Sequence, residues 1–247
     1  MSEISIHAQP IFWLSSFPVT NTLALSVAIF IILFLGSIIF RGKLKLIPAG
    51  FQNLAEIIIE GAFGIMDPIL GSRRTSERYL PLTLTIFLFV LFSNWLGLLP
   101  GVGSIIVKTA QGTVPLFRSP ASDLNFTIAL ALIAVTMVNV FGVGVRGLWG
   151  RISVFINFRS PMGFFVGLLE LISEFAKIIS FSFRLFGNVF AGEVLLAIMA
   201  YLLPYLAPVP FMILEIFFGF IQAFIFAILT LIFISIAVSH EEGLEES

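Results

Sequence analysis

Long apolar runs separated by short polar ones organise the chain. Asn21 to Phe40 carries no charged residue, and about 20 residues at 1.5 Å each match the ~30 Å hydrocarbon layer of a bilayer. A first spanning helix is predicted there, stopped by Arg41, Lys43 and Lys45. From Pro48, a suitable first-turn residue, to about Met66 the period is again helical. Here Gln52, Asn53, Glu56 and Glu60 fall within about 100° of one another, opposite Phe51, Leu54 and Ile58. Such a two-faced helix is expected to lie in the membrane plane.

Arg73, Arg74 and Arg78 precede a second span, Tyr79 to Leu99, with Trp95 as an interfacial belt residue and Pro100-Gly101 as its end. Val102 to Ala121 is polar and predicts a loop. Asp123 and Asn125 open a helix to about Val145, whose few polar groups are Thr127, Thr136 and Asn139, followed by Arg146, Arg151 and Arg159. No breaker interrupts Pro161 to about Pro204, and a helix of that length measures roughly 60 Å, so it must tilt steeply or break. After Pro204 to Pro210, Phe211 to Val238 gives a last helix of about 40 Å. The two are expected to form a strongly tilted hairpin.

The expected fold class is an all-α integral membrane protein of about five transmembrane helices plus one in-plane amphipathic helix. It forms a single integral membrane domain over residues 1–247. Composition agrees: 59% of residues are hydrophobic and 11% charged, which excludes a water-soluble core. With no Cys, and His only at positions 7 and 240, disulfides, thiol catalysis and Cys/His metal sites are excluded, and no cofactor is expected. There is no basic patch for nucleic acid. Residues 1–20 contain no Lys or Arg and lead to no small-residue cleavage site, so they read as a retained segment. Arg41, Lys43, Lys45, Arg73, Arg74, Arg78, Arg146, Arg151 and Arg159 fall on one side of the predicted spans, and only Lys108 and Arg118 in the opposite loops. The positive-inside rule places the N-terminal segment 1–20 outside and the acidic tail 239–247 in the cytoplasm.

The last two helices carry the chemistry. A cation at the centre of a membrane helix costs on the order of 3 kcal/mol on insertion scales, so Arg184 must face protein, water or an anion. At 100° per residue, Glu170, Glu174, Lys177, Arg184 and Asn188 share a stripe about 80° wide, and Glu193 lies roughly 140° round from Glu170. Glu215, Gly219 and Gln222 share a face of the final helix. A turn near Pro204 sets Arg184 opposite about residue 224 and Glu193 opposite Glu215. The nearest carboxylates on Arg184's own helix are about 13–21 Å away along the axis, which points to an anion on a partner. Guanidinium stays protonated and cannot relay a proton, so it acts as a plug. Carboxylates do titrate, so Glu193 with Glu215 on the outer side, and Glu170 with Glu174 on the inner side, can line two half-paths that the cation separates.

Phe183-Arg-Leu-Phe-Gly-Asn188, Ala191-Gly-Glu193 and Gln222-Ala-Phe-Ile-Phe226 resemble subunit a of F-type ATP synthases, bacterial type. A weaker likeness covers Ser119-Pro-Ala-Ser-Asp-Leu-Asn125 and the helix order. The resemblance implies a stator whose hairpin curves against a ring of c subunits, each with one essential carboxylate. It implies that Arg184 attracts and deprotonates each passing ring carboxylate, with Gln222 and Asn188 beside it. Glu193 and Glu215 then belong to the outer half-channel, Asp123 and Asn125 to its mouth, and Glu170, Ser173, Glu174, Lys177 and Ser180 to the inner one. The implied partners are the c-ring, peripheral-stalk b subunits, other ATP synthase subunits and the lipid bilayer, in a bacterial plasma membrane. With no Gly-rich Lys-Ser/Thr phosphate loop, the chain is expected to be non-catalytic. A secondary transporter would need inverted repeats, and a purely structural membrane subunit would not need a buried arginine.

Overall fold

Small polar caps start the long apolar helices. The Thr20 hydroxyl accepts from the Leu23 amide at 3.3 Å and begins α1, Asn21–Arg41. Ser72 does the same for Thr75 at 3.2 Å and begins α3, Arg73–Leu98. Each cap satisfies one of the amides that a helix start leaves without a partner. Between them α2, Phe51–Leu70, ends at Gly71, whose left-handed φ of 81° suits glycine. The chain continues through α4, Leu124–Phe155, then α5, Pro161–Leu202, and α6, Pro208–Val238. The computed structural model describes residues 8–238 apart from 43, 46, 48, 49, 100, 101, 103, 104, 110, 111, 156–160 and 205. Residues 1–7 of the N-terminal segment, Lys43, Pro48, Arg159 and the acidic tail 239–247 lie outside the described residues.

Five of these helices, α1, α3, α4, α5 and α6, are long and apolar enough to cross a membrane. The two-faced α2 is the sixth. It buries Phe63, Met66 and Leu70 near its end and exposes Phe51, Leu54, Ile57 and Ile58. Arg73 ties α2 to α3, with Nη2 2.8 Å from Glu60 and its guanidinium 3.5 Å above the Phe63 ring.

Several boundaries differ from the sequence pattern, each for a local reason. The Ser72 cap starts α3 six residues before Tyr79 and carries it through Pro81. Membrane helices tolerate such prolines because neighbouring helices and hydroxyl side chains satisfy the freed backbone groups. α5 is one continuous helix of 42 residues, roughly 63 Å and about twice the hydrocarbon thickness. α4 passes the predicted end at Val145 by turning at Gly147, where φ 72° and ψ 166° are accessible to glycine. The first two prolines of α6 sit in its first turn, so that helix starts at Pro208 rather than Phe211. Two short antiparallel hairpins replace expected irregular chain: β1, Pro10–Leu14, with β2, Phe17–Thr20, and β3, Ile106–Thr109, with β4, Gly112–Pro115.

Within lipid, helices gain little from hydrophobic burial against one another, and close van der Waals contact between small residues takes its place. The core follows that rule. Ala121, Ala131, Ala134 and Ala223 intersperse with Val90, Phe181, Leu185 and Phe226 in one cluster. Ala237 sits with Met66, Tyr79, Leu231 and Ile234 in a second. α5 packs on α4 and α6, and α3 on α6. At one end of the bundle Ser235 donates to the Ile69 carbonyl (2.9 Å) and Arg146 to the Ile236 carbonyl (3.4 Å), which brings the ends of α2, α4 and α6 together. Thr22 meets Asp123 at the other.

Candidate functional site

α5 sorts its residues by face. Phe181, Ser182, Leu185 and Gly192 point into the bundle, and Leu185 is 0% exposed. Ser180, Arg184, Gly187, Asn188 and Ala191 stand on the outside. Arg184 donates from Nη2 to the Ser180 hydroxyl at 3.2 Å and makes no ion pair with any described residue. One turn on, a side chain at Gly187 would meet nothing within 4 Å. The guanidinium therefore borders open space on the outer face of α5, between the polar side chains of Ser180 and Asn188.

Three contacts fix the hairpin. The rings of Phe181 and Phe226 lie 4.6 Å apart, Asn188 Nδ2 donates to Gln222 Oε1 at 2.9 Å, and the Glu215 carboxylate fills the place a Cβ on Gly192 would take. Arg184 thus lies level with the stretch of α6 between Gln222 and Phe226, as the expected register requires. Gln222 is 2% exposed, held under Asn188 one turn from Arg184.

Glu215 opens into a small cleft lined by Asn94, Leu98, Asn188, Val189, Phe218, Gly219 and Gln222, with room for about one water molecule. Asn94 donates from Nδ2 to the Gly219 carbonyl at 2.9 Å, and its buried Oδ1 has no partner among the described residues. Trp95 donates to the Ile216 carbonyl at 3.0 Å. Sequence reasoning missed Asn94, although an amide inside the apolar run Tyr79–Leu99 is a signal of its own.

Glu193 takes a different partner from the one its position suggested. Its Oε2 accepts from Arg118 Nε at 3.3 Å and Nη2 at 3.1 Å, while Glu215 rests on the neighbouring Gly192. Arg118 figured in the sequence only as a loop cation. Asp123 is buried, and both its oxygens are engaged: Oδ2 accepts from Thr22 Oγ1 at 2.9 Å and Oδ1 from the Asn125 amide at 3.0 Å. The second of these bonds caps α4, and the first joins it to α1. Asn125 itself is exposed.

At the other end Glu174 is the centre of a buried network, 8% exposed. Its Oε1 accepts from Lys177 Nζ at 2.8 Å and Arg151 Nη2 at 3.3 Å, and its Oε2 from Asn139 Nδ2 at 3.0 Å. Arg151 also donates to Asn139 Oδ1 from Nη2 at 2.7 Å and Nε at 3.0 Å. The turn at Gly147 carries Arg151 back alongside α4, and Gly142 gives it room, with Arg151 Cδ at 3.6 Å from where a Cβ would sit. Lys177 Nζ lies 4.8 Å over the Phe233 ring. Glu170 and Ser173 are half-exposed beside this network, and neither Glu170 nor Ser180 forms an ion pair or network contact with it.

Removing one member of a buried ion pair leaves an uncompensated charge. Arg151→Ala is therefore expected to cost about 3 kcal/mol, lowering the thermal midpoint of the purified protein by roughly 6–12 °C. A midpoint within about 1 °C of the parent would show that Lys177 and Asn139 suffice for Glu174.

Five apolar spans, an outward arginine in a polar-lined helical hairpin and carboxylates at both ends point to a membrane subunit that handles ions. Comparison with known proteins narrows this. Residues 22–235 match the family described as ATP synthase A chain. The chain is 34% identical to ATP synthase subunit a of Moorella thermoacetica over 231 residues, 93% of this chain and 96% of that one. It is 36% identical over 217 residues to the same subunit of Helicobacter pylori strain Shi470 (86% and 87%), and 34% identical over 204 residues to that of Campylobacter jejuni strain 81-176 (81% and 82%). The chain belongs to the ATP synthase subunit a family, as a membrane-embedded part of the ATP synthase complex with the stator role in ion translocation.

Proposed function

We propose that Arg184 is the stationary charge past which the carboxylates of a c-ring move, and that two half-paths meet on either side of it. The observation that carries this is the position of Arg184: outward, beside the open hollow at Gly187, with no anion of its own among the described residues. A ring carboxylate arriving there is drawn to the guanidinium and gives up its proton. Because the guanidinium never deprotonates, ions cannot pass it directly.

In the outer half-path Asp123 and Asn125 frame the mouth, Glu193 and Glu215 carry protons inward, and Asn188 and Gln222 line the last turn before Arg184. Glu170, Ser173, Lys177 and Ser180 edge the inner half-path, with Glu174 bracing its wall through Arg151 and Asn139. One charge crossing 100 mV is worth about 2.3 kcal/mol, so several ions must be summed by rotation for each ATP. The chain serves as one integral membrane domain, non-catalytic and without a cofactor. It sits in the bacterial plasma membrane with the N-terminus outside and the C-terminus in the cytoplasm, and it contacts b subunits of the peripheral stalk. The gathering of Arg146 with the ends of α2 and α6 supports this orientation, since the cations collect at that end.

Single cysteines test the ring-facing surface. In the assembled complex, Gly187→Cys and Ala191→Cys are expected to form disulfides with cysteines on the outer helix of the ring, whereas Leu185→Cys, facing the core, forms none. The reverse pattern would place the ring on another face.

A further inference from the structure

The loop before α4 is anchored before it reaches α5. Ser119, Pro120, Ala121 and Ser122 are buried, Ser119 donates from Oγ to the Ser93 carbonyl at 3.2 Å, and Ala121 belongs to the core cluster with Val90 and Leu130. Gly97 of α3 lies so close to Ser119 that a Cβ there would collide with it. The backbone that carries Arg118 is thus held by α3 and the start of α4. From this base the guanidinium crosses to α5 and places Nε and Nη2 on a single oxygen of Glu193, Oε2. The other oxygen takes no donor among the described residues. Both side chains are largely shielded, 13% and 26% exposed, so the pair is less weakened by solvent than a surface pair.

From this geometry we infer that Arg118 is a positioning residue for ion translocation: it holds Glu193 by one oxygen and leaves the other free to exchange a proton with water from the mouth. The inference rests on the proposed place of Glu193 in the outer half-path. Glu215 lies against Gly192, the very next residue, so a Glu193 side chain released from Arg118 would swing among rotamers instead of facing one route. A planar guanidinium can set two donors on one oxygen from a rigid base. A lysine offers a single flexible ammonium there and reaches less far.

The test is a double-mutant cycle in the assembled complex, reconstituted into vesicles, with ATP-driven acidification normalised to the amount of complex. Arg118→Gln is expected to slow pumping about tenfold, less than the roughly 100-fold that outright misplacement of a reacting group can cost, and Arg118→Lys to recover part of the rate. In a Glu193→Gln background, Arg118→Gln is expected to add no further loss, because the group it positions is gone. Glu193→Asp serves as the background if the amide leaves no measurable flux. Pumping by Arg118→Gln within twofold of the parent overturns the inference. So does an undiminished tenfold loss on top of the Glu193 substitution, since a merely structural loop defect would persist there. If Arg118→Gln does not assemble, the same cycle with Arg118→Lys decides by the same criterion. A parental rate for Glu193→Gln alone would instead remove Glu193 from the path, a separate failure from any result at Arg118.

Discussion

Replacing Arg184 with alanine is expected to leave the subunit in its complex and bring ATP-driven pumping and ATP synthesis down at least 100-fold, the order seen when a preorganised electrostatic group is lost. Assembly should survive because Arg184 holds nothing of its own chain together. Its only bond to a described residue is to the exposed Ser180 hydroxyl, and its neighbour Leu185 does the packing. Function should not survive, because no other cation can substitute. Lys177 is committed to Glu174, and Arg118 to Glu193. On the proposed mechanism, a protonated ring carboxylate that meets no permanent charge has no reason to release its proton on one side rather than the other. Acidification of inverted vesicles and ATP synthesis under an imposed gradient both read the effect, and near-parental coupling in either would sink the assignment.

Gly192→Val is the second large effect. The space beside the Gly192 Cα is filled by the Glu215 carboxylate, so a branched side chain forces either Glu215 out of its cleft or α6 away from α5. Overpacking of this kind costs about 1–3 kcal/mol, and displacement of Glu215 removes a group from the proposed path, for which a drop in pumping of about 100-fold is expected. A paired variant separates the two consequences. Glu215→Ala beside Gly192→Val makes room again, so the amount of assembled subunit should return while pumping does not. Full pumping by Gly192→Val alone would mean that Glu215 does not work from this position.

The spans and the hairpin register were legible because both follow one-dimensional rules. Hydrophobic length marks a membrane helix, and the helical period aligns Asn188 with Gln222 once the turn between α5 and α6 is located. The partners of the carboxylates were not legible. Arg118 and Glu193 stand 75 residues apart, and no period connects a loop residue to a helix face. Arg151 reaches Asn139 and Glu174 only because the chain reverses at Gly147, and that reversal overrides the apparent end of α4 at Val145. Asn94 was hidden by the apolar average of its span. The hairpins β1–β2 and β3–β4 have strands of four or five residues, too short for alternation to stand out, and the first turns at Ser15 with φ 58° instead of at a glycine.

The hollow at Gly187 also bears on how such a complex is put together in the cell. Until a partner covers it, an inserted copy of the chain shows an outward guanidinium with no anion among the described residues, a cost on the order of 3 kcal/mol in lipid. That is a population factor of roughly 100. If Arg184 meets a ring carboxylate as proposed, docking removes that cost at one stroke, and the subunit without its partner is the less stable lodger in the bilayer.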